Sequence, residues 1–157
     1  MKNVKFLLSA ALVFLASAAL AQDFSAPQYA KWGATPEERE QNILNSNFLK
    51  ESCDNRDYDA AAHYLKGLID KIPDAAESIY QRGAVVYKNK INRAKSVAEK
   101  NMFIDSLMLM YDMRAQYFGD NVKPGKTAFI LDQKAREFLR YKPNDRKGIR
   151  EAYETGR

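Results

Sequence analysis

The sequence predicts an all-α protein made of antiparallel helix pairs. Apolar residues recur every three or four positions in successive segments, which is the spacing of one face of an α-helix. Capping residues precede several of these segments and Gly or Pro residues follow them, as expected where helices begin and end. No segment alternates apolar and polar residues with the period of two that is typical of strands. We therefore expect six helices in three pairs.

The first pair has the clearest boundaries. Residues 35–38 (Thr-Pro-Glu-Glu) combine a capping Thr, a Pro in the first turn and two acids near the positive end of the helix dipole. We expect the first helix to run from there to about Asn55. A second helix is expected from about Asp57 to Lys71, because Pro73 disfavours helical backbone at the residue before it.

The second pair contains an unusually long helix. Residues 74–77 (Asp-Ala-Ala-Glu) have the spacing of a capping box and predict the start of a third helix. A break is expected at residues 89–90, followed by a fourth helix from about Asn92 to Phe118, where Gly119 stops it. The sequence leaves open whether the Met residues of this helix are core or a binding surface. They are Met102, Met108, Met110 and Met113.

The third pair is shorter. A fifth helix is expected from about Thr127 to Tyr141, before Pro143, and residues 144–145 (Asn-Asp) are expected to cap a sixth. This last helix has an apolar face that no predicted helix covers. We therefore expect either that a longer stack continues beyond it or that a second copy of the chain covers it. The apolar residues of that face are Ile149, Ala152 and Tyr153.

Residues 1–21 predict an export signal. Lys2 and Lys5 form a basic start, an apolar run follows, and residues 19–21 (Ala-Leu-Ala) fit the A-x-A rule for cleavage. We expect cleavage after Ala21 and a periplasmic or secreted mature chain. An uncleaved anchor is the alternative, although the apolar run is short against the roughly 20 residues that a spanning helix needs. No later segment is apolar enough to span a membrane.

The rest of the chain divides into an irregular arm at residues 22–34, held by Trp32, and a helical domain at residues 35–157. The full chain has 25 Lys and Arg against 20 Asp and Glu, and loss of two Lys with the leader leaves 23 against 20, or +3. This mild balance does not indicate a nucleic-acid surface. The single Cys53 excludes an intramolecular disulfide, so the core has to hold the fold. We expect a packed thiol, with a reactive thiol or an intermolecular bridge as alternatives.

Residues 37–73 resemble one tetratricopeptide repeat. Residues 48–49 (Phe-Leu) stand where the family usually has Leu-Gly, Ala61 stands at the small position where two helices cross, and Pro73 closes the repeat. The match weakens towards the C-terminus. The mature chain also resembles exported tetratricopeptide-type proteins of Bacteroidetes, through residues 34–39 and 111–120. The resemblance implies a short α-solenoid of stacked helix pairs and an exported compartment, but no activity.

The resemblance also implies a concave groove, lined by the first helix of each pair. Carried over by position, the partner-binding residues are Ser46, Lys50 and Asp54 from the first helix, Tyr80, Tyr87 and Lys88 from the third, and Arg136 and Arg140 from the fifth. Such a mixture of Lys, Arg and Tyr suits an extended peptide with acidic groups or a free carboxylate. An ordinary polar face is the alternative at each position.

Motifs for catalysis are missing from the sequence. His63 is the only histidine, and the chain has no G-x-S-x-G motif, no metal-ligand cluster and no glycine-rich phosphate loop. We therefore expect no enzyme activity and no cofactor, and a scaffold that binds a protein or peptide, with an envelope assembly as one setting for it. The second hypothesis is a structural subunit that self-associates through its C-terminal helices. The third is a small enzyme or ligand carrier with a pocket around His63.

Overall fold

The computed structural model describes residues 22–154, which form an all-α fold. The leader predicted for residues 1–21 and the last three residues lie outside this range. Within it there is no strand, and the α-helices pack against one another. They are α1 Pro36–Asp54, α2 Tyr58–Lys71, α3 Glu77–Arg93, α4 Val97–Phe118, α5 Lys126–Tyr141 and α6 Arg146–Ala152.

Each helix packs against the next one along the chain, and α1 also contacts α3. The connecting loops are short, from the three residues of loop 55–57 to the seven of loop 119–125. Short loops between helices that pack together require the chain to reverse its direction. Consecutive helices are therefore antiparallel, as the sequence predicts.

Side-chain caps explain where several helices begin. At α1, Thr35 Oγ1 accepts a hydrogen bond from the Glu38 backbone N–H at 3.2 Å, and the Glu38 carboxylate accepts one from the Thr35 N–H. Asp57 and Asp145 cap α2 and α6 by accepting from a backbone N–H three residues later. These starts agree with the predicted ones, because each depends on side chains that are close in sequence.

The second helix pair differs from its prediction. The capping box predicted at residues 74–77 is wrong, since Ala76 precedes α3 without a side-chain cap. The predicted break at residues 89–90 is also wrong, because α3 continues to Arg93 and buries Ile91 in the core. The fourth helix then begins at Val97, where the Ser96 hydroxyl accepts from the Glu99 N–H at 3.1 Å.

The N-terminal arm is more regular than predicted. Residues Pro27–Trp32 form a short 3-10 helix that contacts α1. The Trp32 carbonyl accepts a hydrogen bond from Asn42 Nδ2 at 2.7 Å, and the Arg39 guanidinium donates to the carbonyls of Gly33 and Phe24. Backbone carbonyls of the arm are thus held by side chains of α1.

The core consists of two adjoining clusters. The first joins α1, α2 and α3 through residues such as Leu49, Leu65 and Tyr80, and it includes Met110 of α4. The second joins α3, α4 and α5 and includes Met108. Two of the four Met residues of α4 are therefore core, whereas Met102 is 55% exposed.

The last helix is better covered than the sequence predicts. Ala152 is buried and Ile149 is half-buried, and α6 packs against α5. Gly148 makes this packing close, because a Cβ at that position would overlap the Phe138 ring. Of the predicted apolar face, only Tyr153 remains exposed, at 53%.

Candidate functional site

A cleft of about 540 Å³ lies between α3 and α5, with α4 as its floor. This volume is in the range of ligand sites in proteins. Both apolar and polar side chains line its walls. Its lining residues are Tyr80, Gln81, Ala84 and Lys88 from α3, Met110, Tyr111 and Arg114 from α4, and Phe129, Gln133, Arg136 and Glu137 from α5.

Two ion pairs bridge the helices that form the walls of the cleft. Glu77 Oε2 lies 2.6 Å from Lys126 Nζ, and Lys88 Nζ lies 3.2 Å from Glu137 Oε1. Both pairs join residues 49 positions apart, and eleven residues separate the two pairs on either helix. The α3 and α5 helices are therefore parallel and in register, and the pairs stand about 16 Å apart along them.

Arg114 is the central charged residue of the floor. Its side chain is only 10% exposed, its Nε donates to Glu77 Oε1 at 2.9 Å, and its Nη1 donates to Gln133 Oε1 at 2.9 Å. Within residues 22–154, its Nη2 has no hydrogen-bond partner. The guanidinium is thus held by both walls of the cleft and still has a donor to offer.

Of the two acceptors of the Glu137 carboxylate, one is occupied and the other is shielded from solvent. Glu137 Oε1 accepts from Lys88, and Glu137 Oε2 is shielded from solvent and has no partner among the described residues. Burial, with a further contribution from the charge of Glu137, raises the pKa of Tyr111 to about 12. The Tyr111 hydroxyl is therefore protonated at neutral pH. The cleft offers mainly donors to a ligand.

Three of the predicted binding residues meet at this cleft: Tyr80, Lys88 and Arg136. Lys88 and Arg136 keep part of their side chains in solvent, and Arg136 pairs with Asp132 on its own helix. Tyr80 is only 1% exposed, because its hydroxyl donates to the Pro73 carbonyl at 2.6 Å and its ring packs in the core. Tyr80 therefore supports the cleft wall from inside the core.

The other predicted binding residues lie elsewhere. Ser46 is buried and does not line the cleft. Lys50 and Asp54 pair with each other at 2.6 Å on the exposed face of α1. Tyr87 is half-buried between the two core clusters, and the exposed Arg140 lies beside the Tyr141 ring.

Two important residues of the cleft are not among the predicted partner-binding residues. Arg114 belongs to the long fourth helix, which the repeat pattern places outside the groove. A charged residue among the apolar positions Met110, Tyr111 and Ala115 was the available signal. Phe129 is 56% exposed on the α5 wall. It carries no comparable signal in the sequence, because residue type alone does not show whether an aromatic side chain is exposed or buried.

His63 lies away from this cleft, on the exposed face of α2, with its ring 5.7 Å from that of Tyr64. A shallow depression beside it contains Lys66 and Asp70, which pair with each other. Within the part of the chain that the structure describes, no group of three His, Cys, Asp or Glu side chains is arranged to hold a metal ion. Across the same residues, every helix is too short or too polar to cross a lipid bilayer.

Cys53 is expected to react slowly with thiol reagents. Its side chain packs partly into the first core cluster, and burial raises the pKa of the thiol, which lowers the thiolate fraction at pH 8. We expect the folded protein to react with Ellman's reagent at least about tenfold more slowly than the urea-unfolded chain. Equal rates in the two states would show that this thiol is not protected.

Protein-family models, curated protein sequences and solved structures were each compared with this chain, and none matched it. No family is therefore assigned. What the protein does has to be inferred from the chemistry of its own side chains.

Proposed function

We propose that this protein is an exported, non-catalytic scaffold of the tetratricopeptide type, and that the cleft between α3 and α5 binds a peptide segment of a partner protein. The observation that carries the proposal is the surplus of donors in the cleft. Arg114 and Arg136 provide guanidinium groups there, while the carboxylate of Glu137 is already engaged or shielded. A ligand with acceptors therefore fits best.

The ligand is proposed to be acidic and to carry an apolar group beside its carboxylate. Guanidinium groups bind carboxylates through two parallel hydrogen bonds, which gives strength and orientation. Phe129 adds an exposed aromatic face on the wall of the cleft. Aromatic and Arg side chains dominate the binding energy of many protein interfaces. An Asp, a Glu or a free carboxyl terminus next to an apolar residue would use both features.

The two ion pairs limit how such a segment lies. A peptide running along α3 would meet the Glu77–Lys126 pair at one end and the Lys88–Glu137 pair at the other. The 16 Å between them corresponds to about five residues of extended chain. The bound segment is therefore short, and it enters and leaves through the open side of the cleft.

Two further features support the scaffold type and its location. The helices contact one another in chain order, and α3 and α5 are parallel with a constant offset of 49 residues, which is the arrangement expected of stacked helix pairs. The leader-like residues 1–21 favour export, and a periplasmic or secreted location follows from cleavage after Ala21.

The proposal is tested by capturing partners from envelope extract with a chain that begins at Gln22. A cleft variant, Phe129→Ala with Arg136→Glu, is compared with a matched variant on the same helix, Leu139→Ala with Arg140→Glu. Leu139 and Arg140 are exposed but do not line the cleft. We expect the cleft variant to lose at least about tenfold in binding and the matched variant to retain it.

Both variants must keep the helical circular dichroism of the parent chain. An acidic peptide added in excess is expected to displace the captured partner from the parent. Equal binding by both variants would rule out the cleft as the binding site. If no partner is captured and the mass in sedimentation rises with concentration, the self-associating subunit replaces the scaffold, and the exposed Tyr153 is the first contact to replace.

A further inference from the structure

Three loops come together at one end of the helical domain. Near loops 55–57 and 94–96, the Lys90 ammonium pairs with Asp59, and the Arg93 guanidinium lies 4.9 Å from the centre of the Tyr58 ring. Near loop 142–145, Lys142 Nζ donates to Asn101 Oδ1 at the start of α4 at 2.6 Å. We call these loops and the adjoining helix turns the basic end.

Positive charge is concentrated at the basic end. Several of its acids are committed to the backbone, because Asp57 and Asp145 cap helices and Glu99 accepts from the Lys95 N–H. Its cations are Arg56, Lys90, Arg93, Lys95, Lys100, Arg140, Lys142, Arg146 and Lys147, and its acids are Glu51, Asp54, Asp57, Asp59, Glu99 and Asp145. The opposite end has exposed acids at Glu37, Glu38, Asp74 and Asp120, and exposed cations at Lys31, Lys71 and Lys123, so it has no comparable excess of positive charge.

An apolar side chain projects from the same end. Val97 is the first residue of α4 and is 77% exposed, the largest exposed fraction among the exposed large apolar residues. Lys95 and Lys100, both exposed, lie close to it in sequence. In water an exposed Val makes no favourable apolar contact. At a lipid surface, however, apolar residues enter the headgroup layer while Lys and Arg face the phosphates.

We propose that the basic end docks this protein on an anionic lipid surface, with Val97 in the headgroup layer. The apolar tip among cations matches a lipid surface, where the acyl region lies directly beneath a layer of anionic phosphates. The cleft runs lengthwise between α3 and α5 and opens on the side of the domain. Docking by the basic end therefore leaves the cleft open, and the two proposals are independent of each other.

The test measures binding of the chain from Gln22 to phospholipid vesicles by co-sedimentation. Residues 1–21 are left out because their apolar run would itself enter lipid, and all the packing contacts described above lie within residues 22–154. Vesicles of equal parts phosphatidylglycerol and phosphatidylcholine are compared with pure phosphatidylcholine. We expect binding to the anionic vesicles alone, and its loss when NaCl is raised from about 0.05 M to about 0.5 M.

Two triple variants with the same net charge locate the contact. Replacing Lys95, Lys100 and Arg146 of the basic end with Gln is expected to lower vesicle binding about 100-fold. Replacing Lys31, Lys71 and Lys123, which are exposed and lie towards the opposite end, is expected to leave it nearly unchanged. Val97→Ser is expected to lower binding about tenfold.

Equal losses in the two triple variants would overturn the proposal, because they would show attraction by net charge without a docking face. If the parent chain does not bind anionic vesicles but binds soluble polyglutamate, the proposal is also overturned, and an acidic protein becomes the expected partner of the basic end. Unchanged binding by Val97→Ser, together with loss in the basic-end variant, would overturn the insertion of Val97 into lipid.

Discussion

Replacing Gly83 with Leu is expected to lower the free energy of unfolding by about 3 kcal/mol. Gly83 lies on α3 where that helix approaches α4. A Cβ at this position would lie 2.7 Å from Met110 Sδ and 3.2 Å from Leu65 Cδ1. Met110 and Leu65 are both buried, so a larger side chain at position 83 has no empty space to enter. Urea unfolding followed by circular dichroism measures the effect.

Gly67 provides the matched control. It lies inside α2, and a Cβ built there meets no atom within 4 Å. Gly67→Leu is therefore expected to raise the free energy of unfolding by up to about 1 kcal/mol, through helix propensity alone. Combining Gly83→Leu with Met110→Ala is expected to cost less than the sum of the two single changes. If the two changes in the free energy of unfolding were strictly additive, the clash of Leu at position 83 would not be with Met110.

Replacing Glu77 with Gln is expected to lower the free energy of unfolding by about 2 kcal/mol at pH 7. Glu77 Oε1 accepts from Arg114 at 2.9 Å and Oε2 from Lys126 at 2.6 Å, so one carboxylate connects α3, α4 and α5. Arg114 is nearly buried, and the neutral amide would leave its charge without a counterion. The measurement is the same urea titration, with Gln chosen because it keeps the size of the side chain.

The effect of Glu77 is expected to depend on pH in a defined direction. Burial by itself raises the pKa of Glu77, but hydrogen bonds from Lys126 and Arg114 outweigh it and hold the pKa below its ordinary value of 4.5. Its contribution to stability is therefore complete above about pH 4.5 and is lost as the pH falls through the lowered pKa. The difference in free energy of unfolding between the parent and Glu77→Gln is therefore expected to decrease as the pH falls below about 4.5.

A surface ion pair serves as the control for Glu77. Asp132 pairs with Arg136 one turn away on α5, and both side chains are well exposed. Asp132→Asn is expected to change the free energy of unfolding by no more than about 0.5 kcal/mol, because solvent screens such pairs. If Asp132→Asn lowered the free energy of unfolding as much as Glu77→Gln does, Glu77 would contribute no more than an ordinary surface charge.

Local sequence was sufficient for part of the fold. The starts of α1, α2 and α6 were predictable, because a capping side chain and the N–H that it accepts from lie within three residues. The absence of a side-chain cap at the start of α3 was not predictable. Residues 74–77 have the spacing of a capping box, yet the Glu77 carboxylate binds residues 37 and 49 positions away. No pattern within a few residues of Glu77 indicates these distant partners.

The candidate site shows the same division. Position in the repeat pattern selects Lys88 and Arg136, which line the cleft, since both face outward on helices whose presence the sequence predicts. The pattern gives no sign that Ser46 and Arg114 are buried, because burial depends on which helix packs over them. Helix type and amphipathic pattern therefore identify a face, but they do not determine whether a neighbouring helix covers it.

The helical class, most helix limits and the chain reversals can be read from the amino-acid sequence, because they depend on backbone preferences and on contacts within a few residues. Three features cannot: α3 and α5 are parallel and joined at two ion pairs, Arg114 forms the floor of a cleft, and three separate loops form one basic end. These features depend on side chains tens of residues apart, which meet only after packing has placed their helices.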